Sequence, residues 1–182
     1  EDLKEYESLY SHFLQRKRID NIGEQLAQFC ISACRRGMEF HGEVDNEEMT
    51  DITLRLVFTE PFNDEQGRNQ VPEGLEEFVR KEIYTEELFQ KSQELKHRFI
   101  KDKETLLHGD LHDRSVWIKD TIRILDSEFA TCGPIGFDAG MLLGNLYLGY
   151  LYHQFSGNDD FALWLFCEME TFYHGTKVEM GP

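Results

Sequence analysis

The sequence has few basic residues for its size. Lysine and arginine together number 19 against 35 aspartates and glutamates, which gives a formal net charge of −16 over 182 residues. A surface this acidic repels nucleic acid and anionic membranes, so we expect neither as a partner. An anionic substrate would need local cations or a metal ion to be held.

Cysteines are also scarce, and long apolar runs are absent. The four cysteines lack the spacing of a secreted disulfide framework, which favours the reducing cytoplasm. Cys30 and Cys34 share one face of a predicted helix, either as a zinc-binding pair or as two small core residues. The most apolar run, residues 141–151, is shorter than the ~20 residues that span a bilayer, and the charged N-terminus does not resemble a signal peptide.

Apolar periodicity predicts a helix-rich domain. The predicted helices cover residues 22–40, 86–100, 139–154 and 159–174. Residues 51–58 combine β-branched and apolar side chains and fit either a strand or a short helix. Residues 41–50 are polar and acidic, and residues 60–74 contain prolines and glycines, so we expect a loop in the first and irregular structure in the second.

One small hairpin interrupts the helices. Two strand-like runs, 116–118 and 122–125, are joined by a Lys-Asp-Thr turn, and a second turn is expected at residues 132–136. Asn21 followed by Glu24 resembles a capping box, and Asp138 is a candidate N-cap. Many helices around one hairpin are typical of the C-terminal lobe of a protein-kinase-like fold, so the expected class is α+β.

Asp110 is the first candidate catalytic residue. It follows the strand-like pair Leu106-Leu107, in a loop with His108 and Gly109. Phosphoryl transfer needs a carboxylate that accepts or orients the substrate hydroxyl near the transferred phosphate. The structural alternative is that Asp110 caps a turn and His108 makes a hydrogen bond within the fold.

Asp126 and Glu128 are the candidate metal ligands. They lie two residues apart at the end of a predicted strand, so both side chains should project to one side. Magnesium binds through one or two carboxylates together with phosphate oxygens. Because Leu125 and Phe129 flank the pair, we expect it away from a freely solvated face; a solvated strand end is the alternative.

The spacing connects these candidates. Asp126 follows Asp110 by 16 residues, and a hairpin in that interval should bring the two loops side by side. Protein kinases place a catalytic aspartate, a hairpin and a metal-binding aspartate in this order. Their fifth residue after the catalytic aspartate is a metal-binding asparagine, and Ser115 takes that place here as a candidate cofactor-binding residue.

Three motifs within residues 106–146 resemble the methylthioribose kinases, a family among the aminoglycoside-phosphotransferase-like kinases. They are HGDLHDRS, LDSEF and GPIGFDAGMLLGNL. The family pattern reads HGDLHTGS, DPEF and GPxGFDxG, so the serine at position 115 fits the family. Asp113 and Arg114 replace its Thr-Gly, and Ser127 replaces its proline.

The resemblance implies ATP-dependent phosphorylation of the anomeric hydroxyl of methylthioribose, a step of methionine salvage. It assigns Asp110 as the catalytic base, and Asp126 and Glu128 as the residues that hold magnesium. The expected partner is a small sugar, and a homodimer is an open alternative for the assembly. For His112 and Arg114, a phosphate contact and a solvated loop position are both open.

Other parts of a kinase are absent from the sequence. It contains no G-x-G-x-x-G loop and no V-A-I-K-like strand to hold ATP phosphates, and no Arg-Arg after Asp138 to bind the sugar as in the family. We therefore expect residues 1–182 to be part of a C-terminal lobe, inactive without its N-terminal lobe and distal C-terminus. The alternatives are another phosphotransferase, for an aminoglycoside, choline or homoserine, and a non-catalytic kinase-like binding module.

Overall fold

The computed structural model describes residues 3–40, 44–63 and 67–180. Its helices are α1 (Leu9–Gln15), α2 (Ile22–Gly37), α3 (Glu47–Leu56), α4 (Glu76–Phe78), α5 (Glu86–Lys101), α6 (Phe137–Phe155) and α7 (Asp159–Met180). Its strands are β1 (Glu7–Ser8), β2 (Thr105–Leu107), β3 (Val116–Ile118), β4 (Ile122–Ile124) and β5 (Thr131–Gly133). Short 3-10 turns cover Leu3–Glu5 and Met38–Phe40, and α4 continues as a π-helix over Val79–Ile83. The helix-rich α+β class is confirmed.

Two small antiparallel sheets position the polar loops. In the first, β3 lies between β1 and β4, with Trp117 opposite both Ser8 and Arg123. In the second, β2 pairs with β5, and Leu106 lies opposite Cys132. After β2 the chain therefore passes from the second sheet to the first, and after β4 it returns to the second sheet. The predicted hairpin is confirmed as β3 and β4.

The main core lies between α2, α6, α7 and the first sheet. α7 packs against both α2 and α6, and the buried side chains between these elements include Leu26, Leu146 and Leu165. The helices approach closely at Gly23, where a Cβ would lie 2.2 Å from the carbonyl oxygen of Glu168. A smaller cluster of Phe58, Phe99 and Leu107 packs α5 against β2.

One helix, α3, covers parts of two stretches: residues 41–50, where a loop was expected, and residues 51–58, where either a strand or a short helix was expected. Residues 51–58 lie mostly in α3, so the helical interpretation of that stretch is correct. α3 begins at Glu47, and the prediction of a loop throughout 41–50 is therefore wrong, although residues 41–43 lie outside the described part. The described residues from Glu60 to Gly74 form turns and irregular backbone, as predicted.

One predicted helix cap, Asn21, is at the predicted position but lacks the expected bonds, and the other, Asp138, is misplaced. Asn21 has a left-handed backbone with φ of 55° and makes no side-chain cap hydrogen bond, so it forms no capping box with Glu24. α6 begins after Gly136, which places Asp138 inside the first turn. The predicted turn at residues 132–136 is shortened because β5 extends to Gly133.

Cys30 and Cys34 are free, buried thiols of the core. Burial raises the pKa of the Cys30 thiol to about 12, which disfavours the thiolate that zinc requires. No group of three or more histidine, cysteine or acidic residues within the described ranges is arranged to hold a metal ion. Among these same residues, no helix has the length and apolar character that crossing a membrane requires.

Candidate active site

Asp138 fixes the start of the HGD loop, which we define as residues 108–115, between β2 and β3. Its Oδ2 accepts a hydrogen bond from the backbone N–H of His108 at 2.7 Å, and its Oδ1 accepts one from Gly109 at 3.1 Å. Burial raises the pKa of Asp138, and the two backbone donors oppose that rise. A carboxylate whose two oxygens both bind backbone N–H groups holds a chain segment in place. Asp138 therefore binds the HGD loop from within the first turn of α6.

His108 connects the HGD loop to the chain that follows β4. Its Nε2 lies 2.9 Å from the carbonyl oxygen of Leu125, and its Nδ1 accepts from the backbone N–H of Asp110 at 3.4 Å. Because a carbonyl oxygen can only accept, Nε2 must carry the proton. His108 is thus a structurally satisfied histidine, and its two bonds connect the candidate base to the residue just before Asp126.

Gly109 packs directly on the DSE segment, which we define as residues 125–130, between β4 and β5. Gly109 has φ of +85°, and a Cβ at this position would lie 2.2 Å from the carbonyl oxygen of Phe129. Only glycine accommodates both the positive φ and so close a backbone. The Leu125 N–H also donates to the carbonyl oxygen of Ser115 at 2.9 Å. These contacts confirm that the two loops lie side by side.

Asp110 presents an accessible carboxylate in the HGD loop. Its side chain is 40% exposed, and its Oδ2 lies 3.5 Å from Nε2 of His112. The backbone on either side is fixed by His108 and by Ser115. An exposed carboxylate on an anchored loop can meet the hydroxyl of a substrate that arrives from solvent.

Ser115 closes the HGD loop from inside. It is 2% exposed, and its hydroxyl accepts from the His112 N–H at 3.0 Å and donates to the His112 carbonyl oxygen at 2.8 Å. The single hydroxyl hydrogen is therefore engaged within the loop. This bonding stabilises the turn that carries Asp110.

Asp126 and Glu128 lie on the DSE segment, beyond the end of β4. Asp126 has φ of 70°, a left-handed conformation that is uncommon for residues other than glycine, asparagine and aspartate. The prediction that both side chains project to one side assumed the alternation of an extended strand, and that alternation does not apply at this backbone conformation. Both side chains are exposed, so the prediction that flanking apolar residues keep them from solvent is wrong. Within the described ranges no cationic side chain pairs with either carboxylate.

Asn46 is a residue of this site that sequence analysis missed. Its side-chain amide donates to the carbonyl oxygen of Glu128 at 2.7 Å and to that of Ala130 at 3.4 Å. Nearby, the Cys132 N–H donates to the Val44 carbonyl oxygen at 3.1 Å. The chain before α3 therefore supports the backbone that carries Glu128. An asparagine in an acidic stretch gives no sequence signal for a contact 82 residues away.

The outer side of the HGD loop contacts α1. The backbone N–H of Tyr10 donates to the Asp113 carbonyl oxygen at 3.1 Å, and the Arg114 guanidinium lies 4.2 Å from the centre of the Tyr10 ring. Trp117 Nε1 donates to the Arg114 carbonyl oxygen at 3.0 Å. Arg114, for which a phosphate contact and a solvated position were both open, thus stacks on an aromatic ring at the loop surface.

Known proteins resemble the part of the chain that holds both loops. Residues 5–160 match the family model described as the phosphotransferase enzyme family. The methylthioribose kinase of Yersinia enterocolitica is 34% identical over 161 residues, which are 82% of this chain and 40% of that protein. The methylthioribose kinase of Bacillus pumilus is 41% identical over 117 residues, which are 64% of this chain and 29% of that protein. The methylthioribose kinase of Bacillus velezensis is 43% identical over 107 residues, which are 58% of this chain and 27% of that protein. The chain thus spans less than half the length of these relatives.

Proposed function

Because this chain belongs to the phosphotransferase enzyme family, we propose that it carries the catalytic and metal-binding loops of a small-molecule kinase. The observation that carries the proposal is the direct packing of the HGD loop on the DSE segment through Gly109 and Phe129. This packing holds the exposed carboxylates of Asp110, Asp126 and Glu128 on two adjoining loops. Phosphoryl transfer consists largely of such positioning, together with stabilisation of charge.

Methylthioribose is the proposed substrate, with its anomeric hydroxyl as the acceptor and ATP as the phosphate donor. The support is the three motifs shared with the methylthioribose kinases, and the relatives of that name that align with most of this chain. On this proposal the protein acts in methionine salvage. Another phosphotransferase, with an aminoglycoside, choline or homoserine as its substrate, is the alternative within the same family.

Asp110 is the proposed base. One oxygen of its carboxylate orients the substrate hydroxyl and accepts its proton, while the hydroxyl oxygen bonds to the terminal phosphorus of ATP and the bond from that phosphorus to ADP breaks, releasing ADP. The exposed side chain and the bonds that fix the loop through His108 and Ser115 support this role. The role requires a carboxylate that is mounted rigidly and yet open to solvent, and Asp110 meets both conditions.

Asp126 and Glu128 are the proposed magnesium ligands. The donor set fits this ion, because Mg²⁺ prefers oxygen and is commonly held by one or two carboxylates together with substrate phosphates. Neither carboxylate pairs with a cation in the described part of the chain, so both are open to a metal. When bound, the ion would offset the negative charge of the ATP phosphates. For Ser115 the geometry supports holding the HGD loop more directly than binding a cofactor, because its hydroxyl is buried and already bonded.

Residues 1–182 are proposed to be part of a C-terminal lobe. The chain has no glycine-rich phosphate loop, its net charge is −16, and it spans 40% of the Yersinia enterocolitica relative. A lysine and a loop that cover the ATP phosphates would therefore come from sequence outside these residues. Such a lysine and loop are necessary, because the carboxylates of this site and the phosphates of ATP are all negative.

The decisive experiment measures ADP release by the full-length protein that contains this chain. Methylthioribose, an aminoglycoside, choline and homoserine are compared at equal concentration with Mg-ATP. We expect kcat/KM for methylthioribose to exceed the others by at least about a hundredfold, as is typical where a site is built around the polar groups of one substrate. Preference for another substrate would assign the protein to a different activity of the family. Binding of Mg-ATP without turnover of any substrate would favour the non-catalytic module.

A further inference from the structure

His112 lies beside Asp110, and a backbone hydrogen bond holds its ring. Its Nε2 is 3.5 Å from Oδ2 of Asp110, and its Nδ1 accepts the backbone N–H of Arg114 at 3.1 Å. Its own backbone N–H and carbonyl are both bonded to the Ser115 hydroxyl. The side chain is 28% exposed, so the ring is partly open to solvent.

The contact with Arg114 determines which ring nitrogen carries the proton. A nitrogen that accepts from a backbone N–H has no hydrogen of its own. In the neutral ring the proton therefore lies on Nε2, the nitrogen that faces Asp110. Asp113 Oδ1 is 3.9 Å from Nδ1, which is too far for a hydrogen bond that would compete with Arg114.

We propose that His112 is a positioning residue for the base, an inference that rests on the proposed function. Its Nε2–H lies 3.5 Å from Oδ2 of Asp110 in this structure and, with substrate bound, binds that oxygen and leaves Oδ1 to meet the substrate hydroxyl. The terminal torsion of an aspartate is broad and roughly two-fold, so an unheld carboxylate samples many orientations. A donor on one oxygen selects the orientation in which the other oxygen can take the proton.

The distance suits this role. A separation of 3.5 Å is long for a hydrogen bond, but hydrogen bonds at active sites commonly shorten when the substrate is bound. The alternative open from the sequence, a direct phosphate contact, would need Nε2 to turn away from Asp110. The bond from Arg114 to Nδ1 opposes that turn, because it holds the ring in its present orientation.

The test compares His112→Gln with His112→Asn in the full-length protein. The amide nitrogen of glutamine takes the place of Nε2 and can still donate to Asp110. The shorter asparagine reaches only the place of Nδ1 and leaves Asp110 unheld. Neither change alters the backbone groups that bind Ser115. We expect His112→Asn to lower kcat about tenfold through misorientation of the base, with KM for ATP within about twofold of wild type, and His112→Gln to restore most of kcat.

Each result discriminates between the explanations. Equal loss of kcat in both variants, together with equal loss of thermal stability, would mean that His112 is only structural and would overturn the proposal. A rise in KM for ATP in both variants would assign the ring to a phosphate instead. Wild-type kcat in His112→Asn would reject the positioning role while leaving the kinase function intact. A wild-type protein that phosphorylates none of the four substrates would reject the proposed function, and this inference with it.

Discussion

Asp138 binds the backbone N–H of His108 at 2.7 Å, across 30 residues of chain. Its second oxygen binds Gly109, so one carboxylate at the start of α6 sets the path of the HGD loop. Helix and loop are thereby joined through backbone donors, and the position of Asp110 depends on a residue that is remote from it in sequence.

Asp138→Asn is expected to disturb this anchor. Asparagine has one acceptor oxygen, so its NH₂ group would face one of the two backbone N–H donors. Leaving that donor unpaired should cost about 1–3 kcal/mol in the free energy of unfolding. Urea denaturation measures this loss, and ADP release should show a parallel fall in kcat. Asp159→Asn, which removes a first-turn acid from α7, is the matched control; an equal loss there would indicate an effect of helix charge alone.

Gly109→Ala is expected to separate the two loops. The added Cβ would lie 2.2 Å from the Phe129 carbonyl oxygen, and alanine is strained at φ of +85°. The strain alone is on the order of 1–3 kcal/mol, and relief of the clash requires the DSE segment to move. We expect lower thermal stability and loss of most turnover.

Gly140→Ala provides the control for that substitution. Its Cβ would meet nothing within 4 Å, and the residue lies inside α6, so the change should be neutral or stabilise by up to about 1 kcal/mol. If Gly109→Ala matched this control in both stability and turnover, the backbone contact with Phe129 would not be needed for activity.

Asp126→Asn tests the metal assignment. Asparagine tolerates the left-handed φ of 70° at this position, and the wild-type side chain is exposed without a cationic partner in the described ranges, so folding should be unchanged. Magnesium-dependent turnover should fall at least about a hundredfold, because a charged ligand to the ion is lost. A magnesium titration of kcat, with Asp120→Asn as an exposed acid elsewhere on the hairpin, separates a metal effect from a general charge effect. Normal turnover of Asp126→Asn at low magnesium would refute the assignment.

The burial of His153 predicts that the folded protein loses stability at acidic pH. This buried ring binds the Phe13 carbonyl oxygen through Nε2 at 3.0 Å and Asn158 through Nδ1, and burial lowers its pKa. The unfolded chain, with a histidine pKa of about 6.5, therefore takes up a proton more readily than the folded one. The stabilising contribution is complete above that value and declines as the pH falls below it.

Urea denaturation at pH 7.5 and pH 5.5 measures this linkage. Wild type should lose stability at the lower pH, and His153→Gln should start less stable but show a smaller pH dependence. Burial lowers the pKa of His12 as well, so part of the pH dependence should persist in the variant. His174→Gln, at an exposed position, should leave the pH dependence as in wild type. An unchanged pH dependence in His153→Gln would show that this ring does not contribute to it.

Residues 1–182 alone are expected to be inactive. The carboxylates and ATP are all negative, and the net charge of −16 adds to their repulsion. Purified chain mixed with ATP, magnesium and methylthioribose should release ADP far more slowly than the full-length protein. Turnover within about tenfold of that protein would mean that positioning by this chain is sufficient for the reaction.

Local signals were enough to predict much of this fold. The long amphipathic helices and the β3–β4 hairpin follow from periodicity, and the interval between Asp110 and Asp126 predicted loops that lie side by side. Contacts distant in sequence were not predictable in this way. Asn46 supports Glu128 through a backbone carbonyl, and Asp126 adopts a left-handed backbone that ends the strand alternation. Neither the partner of Asn46 nor the left-handed backbone of Asp126 can be predicted from the pattern of residues in a single segment.

The contacts between the two loops also bear on how such a protein can diverge. Gly109 meets Phe129 through its carbonyl, and Leu125 bonds to Ser115 through main-chain atoms on both sides. Main-chain contacts of this kind do not depend on which side chains occupy the rest of the loop. Asp113 and Arg114 lie on the outer side of the HGD loop against α1, so substitutions there can leave the spacing between Asp110 and the acids of the DSE segment unchanged.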